Sequence, residues 1–74
     1  MGTLCVLSAG GDTKVEWDID AAETVREAER IFRENANRGY AAFAVGGELE
    51  SSRRIEKFDP AVSRIVQSPP IAGG

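Results

Sequence analysis

The chain has 74 residues, a net charge of −3, no histidine and a single cysteine, Cys5. A chain of this length makes one small domain that buries about 60–65% of its unfolded surface, so a deep substrate cavity would come out of an already thin core. The missing histidine and lone thiol exclude disulfide frameworks, zinc fingers and His-based acid/base or metal schemes, and the acidic balance argues against nucleic-acid binding through phosphates.

In chain order, residues 3–8 (Thr-Leu-Cys-Val-Leu-Ser) are rich in strand formers, and Gly10-Gly11-Asp12 after them suits a tight turn. Residues 14–18 alternate strictly, with Val15 and Trp17 on one face, so the first two strands read as a β-hairpin. Asp20 is a candidate N-cap and Glu23 completes a capping-box pattern. Val25, Ala28, Phe32 and Ala36 then recur at helical spacing, with Ile31 at the edge of the stripe. Glu29 and Arg33 are correctly oriented for an i,i+4 pair, and Asn37-Arg38-Gly39 is a stop signal with Gly at the left-handed position.

Residues 40–45 (Tyr-Ala-Ala-Phe-Ala-Val) predict a central third strand, covered on both faces because its side chains are mostly small. Gly46-Gly47 breaks it and residues 48–52 form a polar loop. Residues 53–58 place Ile55 and Phe58 out of phase, which predicts an edge strand with a bulge. Asp59-Pro60 fits either a type I turn or the cap and first residue of one helical turn. Residues 63–67, centred on Ile65-Val66, make the last strand.

The order β-β-α-β-β-β leaves one amphipathic helix whose stripe only a sheet can cover. The expected fold is therefore α+β: a β-grasp with a mixed four- to five-stranded sheet packed on one helix. Its expected core is Leu4, Val6, Val15, Trp17, Val25, Ala28, Phe32, Phe43, Val45, Ile55, Phe58 and Ile65. The domain spans residues 1–68 and a C-terminal tail spans 69–74.

The tail reads Pro69-Pro70-Ile71-Ala72-Gly73-Gly74. The two prolines make a stiff, extended stalk that donates no ladder hydrogen bonds. Ile71 and Ala72 supply a short apolar grip, and the glycines leave a tip of bare backbone able to thread a narrow channel. A carboxylate at the end of such a tip can be adenylated with ATP and its acyl group passed to an amine, thiol or sulfide. The chain would then supply only the acyl group, while its partner supplies the nucleotide site, the metal and the nucleophile.

The hairpin, helix, strand order and Gly73-Gly74 ending resemble the ubiquitin and prokaryotic ubiquitin-like superfamily across nearly the whole chain at the level of fold. The tail is similar to that of the molybdopterin-synthase small subunit, and the thiazole-synthesis sulfur carrier shares the Gly-Gly end. The chain departs from the sulfur carriers at Phe43-Ala44-Val45-Gly46 and at residues 58–62, and from ubiquitin in its uncharged tail and its two lysines, Lys14 and Lys57. The resemblance implies a protein modifier or sulfur carrier and not an enzyme. Gly74 would carry the acyl group, and Pro69, Pro70, Ile71, Ala72 and Gly73 would dock on an adenylating activating enzyme. A conjugating enzyme, a deconjugating protease or a sulfur-accepting enzyme would be the further partners. No cofactor is expected on the chain itself, because ATP and metal would be bound by the activating enzyme. No charged lead into an apolar run precedes the first strand and no stretch approaches a bilayer span, which predicts a cytoplasmic protein with neither membrane nor nucleic-acid partners.

Other residues have plainer readings. Cys5 fits a small buried hydrophobe, Asp18 and Asp20 a helix start, Trp17 and Tyr40 core or core-edge residues, and the arginines a solvated face. The rival function is a non-conjugated β-grasp binding or assembly module, in a signalling complex or a phage particle, working through its sheet face or edge.

Overall fold

A computed structural model of the chain describes residues 1–8, 10–46 and 51–70. Five strands and one helix follow in the order β1 (Gly2–Val6), β2 (Thr13–Trp17), α1 (Ala22–Asn37), β3 (Ala41–Gly46), β4 (Ser51–Ile55) and β5 (Arg64–Ser68). They form one mixed sheet, β2-β1-β5-β3-β4, in which β1 and β5 run parallel and the other neighbours antiparallel. With α1 packed on one face, this is a β-grasp fold.

Side chains alternate across the sheet, so the register sorts them into two faces. Val15, Leu4, Ile65, Ala44 and Arg53 lie side by side in one row of the helix-covered face. Val6, Gln67, Ala42 and Ile55 make the adjacent row. Leu4, Trp17, Ala28, Phe32, Ala42 and Ile65 form the buried cluster, with Val6, Val15, Val25, Ile55 and Phe58 packed against it. Phe58 stands edge-on to both Trp17 (4.9 Å, 68°) and Phe32 (5.8 Å, 64°), tying the segment after β4 to strand and helix.

Three expectations are corrected. Phe43 and Val45 do not join the helix-side core: Ala42 and Ala44 face α1, and the larger residues take the opposite face, half-buried. Trp17, Phe32 and Phe58 already occupy the space beneath the helix, and only methyl-sized side chains fit on β3 there. The N-cap is Ala21, with no side-chain cap bond, and not Asp20. Thr24 instead ties the turn before the helix, its hydroxyl donating to the Ala21 carbonyl (2.7 Å), with the Asp18 carbonyl as alternative acceptor at 3.1 Å, and accepting from the Asp18 N–H (2.8 Å). Finally, β4 begins at Ser51, pairs with β3 in continuous register without a bulge, and ends at Ile55, which frees Phe58 from strand alternation.

The Asp59-Pro60 alternatives resolve as one hydrogen-bonded turn. The Val62 N–H donates to the Asp59 carbonyl (3.1 Å) and the Ala61 N–H to its carboxylate (3.0 Å). The helix ends where the sequence directs. Gly39 has φ 93°, and the N–H groups of Gly39 and Tyr40 donate to the carbonyls of Ala36 and Asn35, the paired bonds of a Schellman cap. Arg33 meets Glu29 at 3.4 Å, while Arg30 bridges Glu27 and Glu34 at 2.6 and 2.8 Å.

Candidate functional site: the base of the tail and the open face

The tail leaves from β5, a strand held on both sides. Its partners are β1, through Val6↔Gln67, and β3, through Ala42↔Gln67 and Ala41↔Ser68. The Leu7 N–H adds a bond to the Gln67 carbonyl (2.9 Å). Pro69 is half-buried and Pro70 exposed. The Pro70 ring lies 3.6–3.7 Å from where a side chain on Gly39 would begin, so the stalk rests on the turn between α1 and β3. Of the expected tail residues, Pro70 is placed beside that turn, and Pro69 joins it to the end of β5. Ile71, Ala72, Gly73 and Gly74 lie outside the described residues.

Beneath the stalk is a polar pair that sequence reading passed over. Gln67 is fully buried and Asn35 is 8% exposed. The Asn35 Nδ2 donates to Gln67 Oε1 (3.0 Å), and Gln67 Nε2 donates to the Phe32 carbonyl (3.0 Å). No buried side-chain polar atom among the described residues lacks a partner. Asn35 sits at the 3–4 spacing of the apolar stripe and Gln67 two positions from Ile65. Both therefore faced inward by periodicity alone, the one signal that could have found them.

The sheet face opposite α1 carries a second feature. The register aligns Lys14, Cys5, Val66, Phe43 and Arg54 in one row across all five strands. Cys5 is buried, Val66 and Phe43 are half-buried, and Lys14 and Arg54 are exposed at the two edges. The row is apolar in the middle and cationic at both ends. On the adjoining row, Thr3 lies between Glu16 and Arg64.

Elsewhere the chemistry-bearing side chains are dispersed. No group of three or more His, Cys, Asp or Glu among the described residues could hold a metal ion. The groove between α1 and the segment after β4 is lined by Glu29, Phe32, Arg33, Glu56, Lys57 and Phe58 among others, with no hydroxyl or thiol in its lining. A hydrogen bond from Arg30 holds the Glu27 carboxyl below its ordinary value, with desolvation opposing the shift and the Arg30 charge adding to it; the pair is solvated and far from the tail in sequence. No helix among the described residues is long and apolar enough to cross a membrane. Comparison of the chain with protein-family models, curated proteins and solved structures finds no match.

Proposed function

We propose that this β-grasp domain is a ubiquitin-like modifier or sulfur carrier whose Gly74 carboxylate, as encoded or as exposed by processing, is activated by a separate adenylating enzyme. The observation that carries the reading is the pairing of a firmly seated launch strand with a side-chain-poor tail. Anchored on both sides, β5 hands the chain to Pro69-Pro70 at the rim of the domain, and the sequence beyond is Ile-Ala-Gly-Gly.

In the proposed reaction, a Gly74 carboxylate oxygen attacks the α-phosphorus of ATP, pyrophosphate leaves, and an acyl-adenylate forms. An amine, thiol or sulfide then attacks the acyl carbon and releases AMP, giving an isopeptide, a thioester or a thiocarboxylate. The activating enzyme supplies the ATP and metal sites, and Pro69 to Gly73 thread its channel. A conjugating enzyme, deconjugating protease or sulfur-accepting enzyme acts downstream. Nucleic acid and membrane have no part in this scheme, which belongs to the cytoplasm.

A purified adenylating enzyme from the native cells, given this chain and ATP, tests the proposal by ATP–pyrophosphate exchange. Exchange that depends on the chain and disappears on deletion of Gly74 supports it. Absence of exchange with every such enzyme overturns it.

The row Cys5-Val66-Phe43 between Lys14 and Arg54 favours a second reading, a binding or assembly module that works through its open face without conjugation. On that reading Phe43→Ser abolishes partner binding, while residues added after Gly74 change nothing.

A further inference from the structure

We infer that the buried Asn35–Gln67 pair is a register lock that fixes where β5 is seated and therefore how far the chain beyond it reaches. The consequence for reach rests on the acyl-carrier reading; the lock itself is a property of the free protein.

A strand can slip by two residues without exchanging its inner and outer faces. Ile65 and Gln67 are the inward residues of β5, and Ser63 and Pro69 are the next positions of the same period-2 pattern just before and just after the strand. A slip that drew Pro69 into the Gln67 position would put a proline between two strands, where it cannot donate to the ladder. Proline thus blocks shortening of the tail. The opposite slip has no such barrier. It places Ile65 where Gln67 stands and Ser63 where Ile65 stands, so one isoleucine and one polar residue still face inward. Apolar patterning alone separates these two registers poorly, and the slipped one advances the chain that follows β5 by about 7 Å.

The amide pair separates them. In the observed register Gln67 satisfies Asn35 and the Phe32 carbonyl at 3.0 Å each, in a site closed to water. With Ile65 in that place, the buried Asn35 amide has no partner. The Asn35 carbonyl in turn receives the Arg38 and Tyr40 N–H groups of the helix cap, so the reference point for the register is the fixed end of α1.

The test is cross-strand nuclear Overhauser contacts in the isotope-labelled full chain. The wild type is expected to show one set, Ala42 with Gln67 and Ala44 with Ile65. Asn35→Leu removes the donor and offers an apolar wall that favours Ile65. It is expected to add a second set, Ala42 with Ile65 and Ala44 with Ser63, in about a tenth of the molecules or more. Asn35→Leu combined with Gln67→Leu is expected to return to one native set, because two apolar inward residues then define the register without the lock. Should Asn35→Leu not fold, Asn35→Ala makes the same comparison with the donor removed and no wall added. A destabilised Asn35 variant that keeps the single native set overturns the lock.

Where the wild-type chain is adenylated, Asn35→Leu lowers kcat/KM in proportion to the slipped fraction, by about a tenth or more, and the double variant restores it. Equal kcat/KM in wild type and Asn35→Leu refutes the link to reach. A wild-type chain that is not adenylated refutes the carrier reading and leaves the register result standing.

Discussion

The replacement of Gly2 by alanine is a strong test of how the first strand is packed. Gly2 pairs with Trp17 in the hairpin register, and a Cβ on Gly2 would overlap Cζ2 and Cε2 of the Trp17 indole and stand 2.7 Å from its Nε1. These separations are far inside contact distance, so the ring must move. It has little freedom to do so, being 1% exposed, edge-packed on Phe58 and bonded through Nε1 to the Pro60 carbonyl at 3.1 Å. Overpacking of this kind costs about 1–3 kcal/mol, and loss of the indole hydrogen bond adds about 1 kcal/mol. The expected loss of about 2–4 kcal/mol is a large share of the roughly 4–11 kcal/mol available to a chain of this size. At about 4–8 °C per kcal/mol, Gly2→Ala melts roughly 8–32 °C below wild type. Trp17 is the only tryptophan, so its fluorescence follows both unfolding and displacement of the ring. Gly10→Ala is the control: nothing lies within 4 Å of its added carbon, and its melting should stay close to wild type. A Gly2→Ala protein with wild-type melting and an unshifted emission maximum would refute this packing of Trp17.

Asn35→Ala leaves the Gln67 Oε1 buried without its donor and is expected to cost about 1–3 kcal/mol in urea unfolding; a loss within the ordinary surface range of about 0.5 kcal/mol would contradict the buried amide bond. The Glu27 carboxyl, hydrogen-bonded by Arg30, is expected to titrate by NMR below the ordinary carboxylate range and to return to it in Arg30→Gln. Because its pKa is depressed in the folded state, the stabilisation is present above the unfolded value and is lost as pH falls through the folded one. High salt should weaken it at this solvated site, and a Glu27 titration indifferent to Arg30→Gln would contradict the pair. Cys5, 6% exposed between Lys14 and Val66, should react with a thiol reagent only as the sheet opens, and immediate labelling of the native protein would contradict its burial.

Local pattern was sufficient for the hairpin and the helix. Val15 and Trp17 do share the helix-facing side, Ala28 and Phe32 are buried, and Gly39 takes the left-handed position that ends α1. What the sequence concealed depends on volume and on distant partners. On β3 the strand pattern is the same whichever face turns inward, and size favours Phe43. The choice of Ala42 and Ala44 follows only once the aromatic trio is known to fill that side. At the helix start, Asp20 has the chemistry of a cap, yet the helix begins one residue later, at the uncapped Ala21, and Thr24 ties the preceding turn by reaching back to Asp18 and Ala21. Asn35 and Gln67 are separated by 32 positions, and each alone reads as an ordinary polar residue near the end of an element. Their partnership arises from topology, as does the alignment of Lys14, Cys5, Val66, Phe43 and Arg54 across five strands.

The fate of the Gly74 carboxylate is best read by mass spectrometry of the protein expressed in its native cells. Trypsin cuts after Arg64, so conjugation through Gly74 would leave the segment from Ile65 to Gly74 on the acceptor lysine, and sulfur transfer would leave the same peptide with sulfur in place of a carboxyl oxygen. Either form, absent when Gly74 is deleted, is the predicted result. A chain recovered only with an unmodified carboxylate, in cells indifferent to the loss of Gly74, would contradict the carrier function.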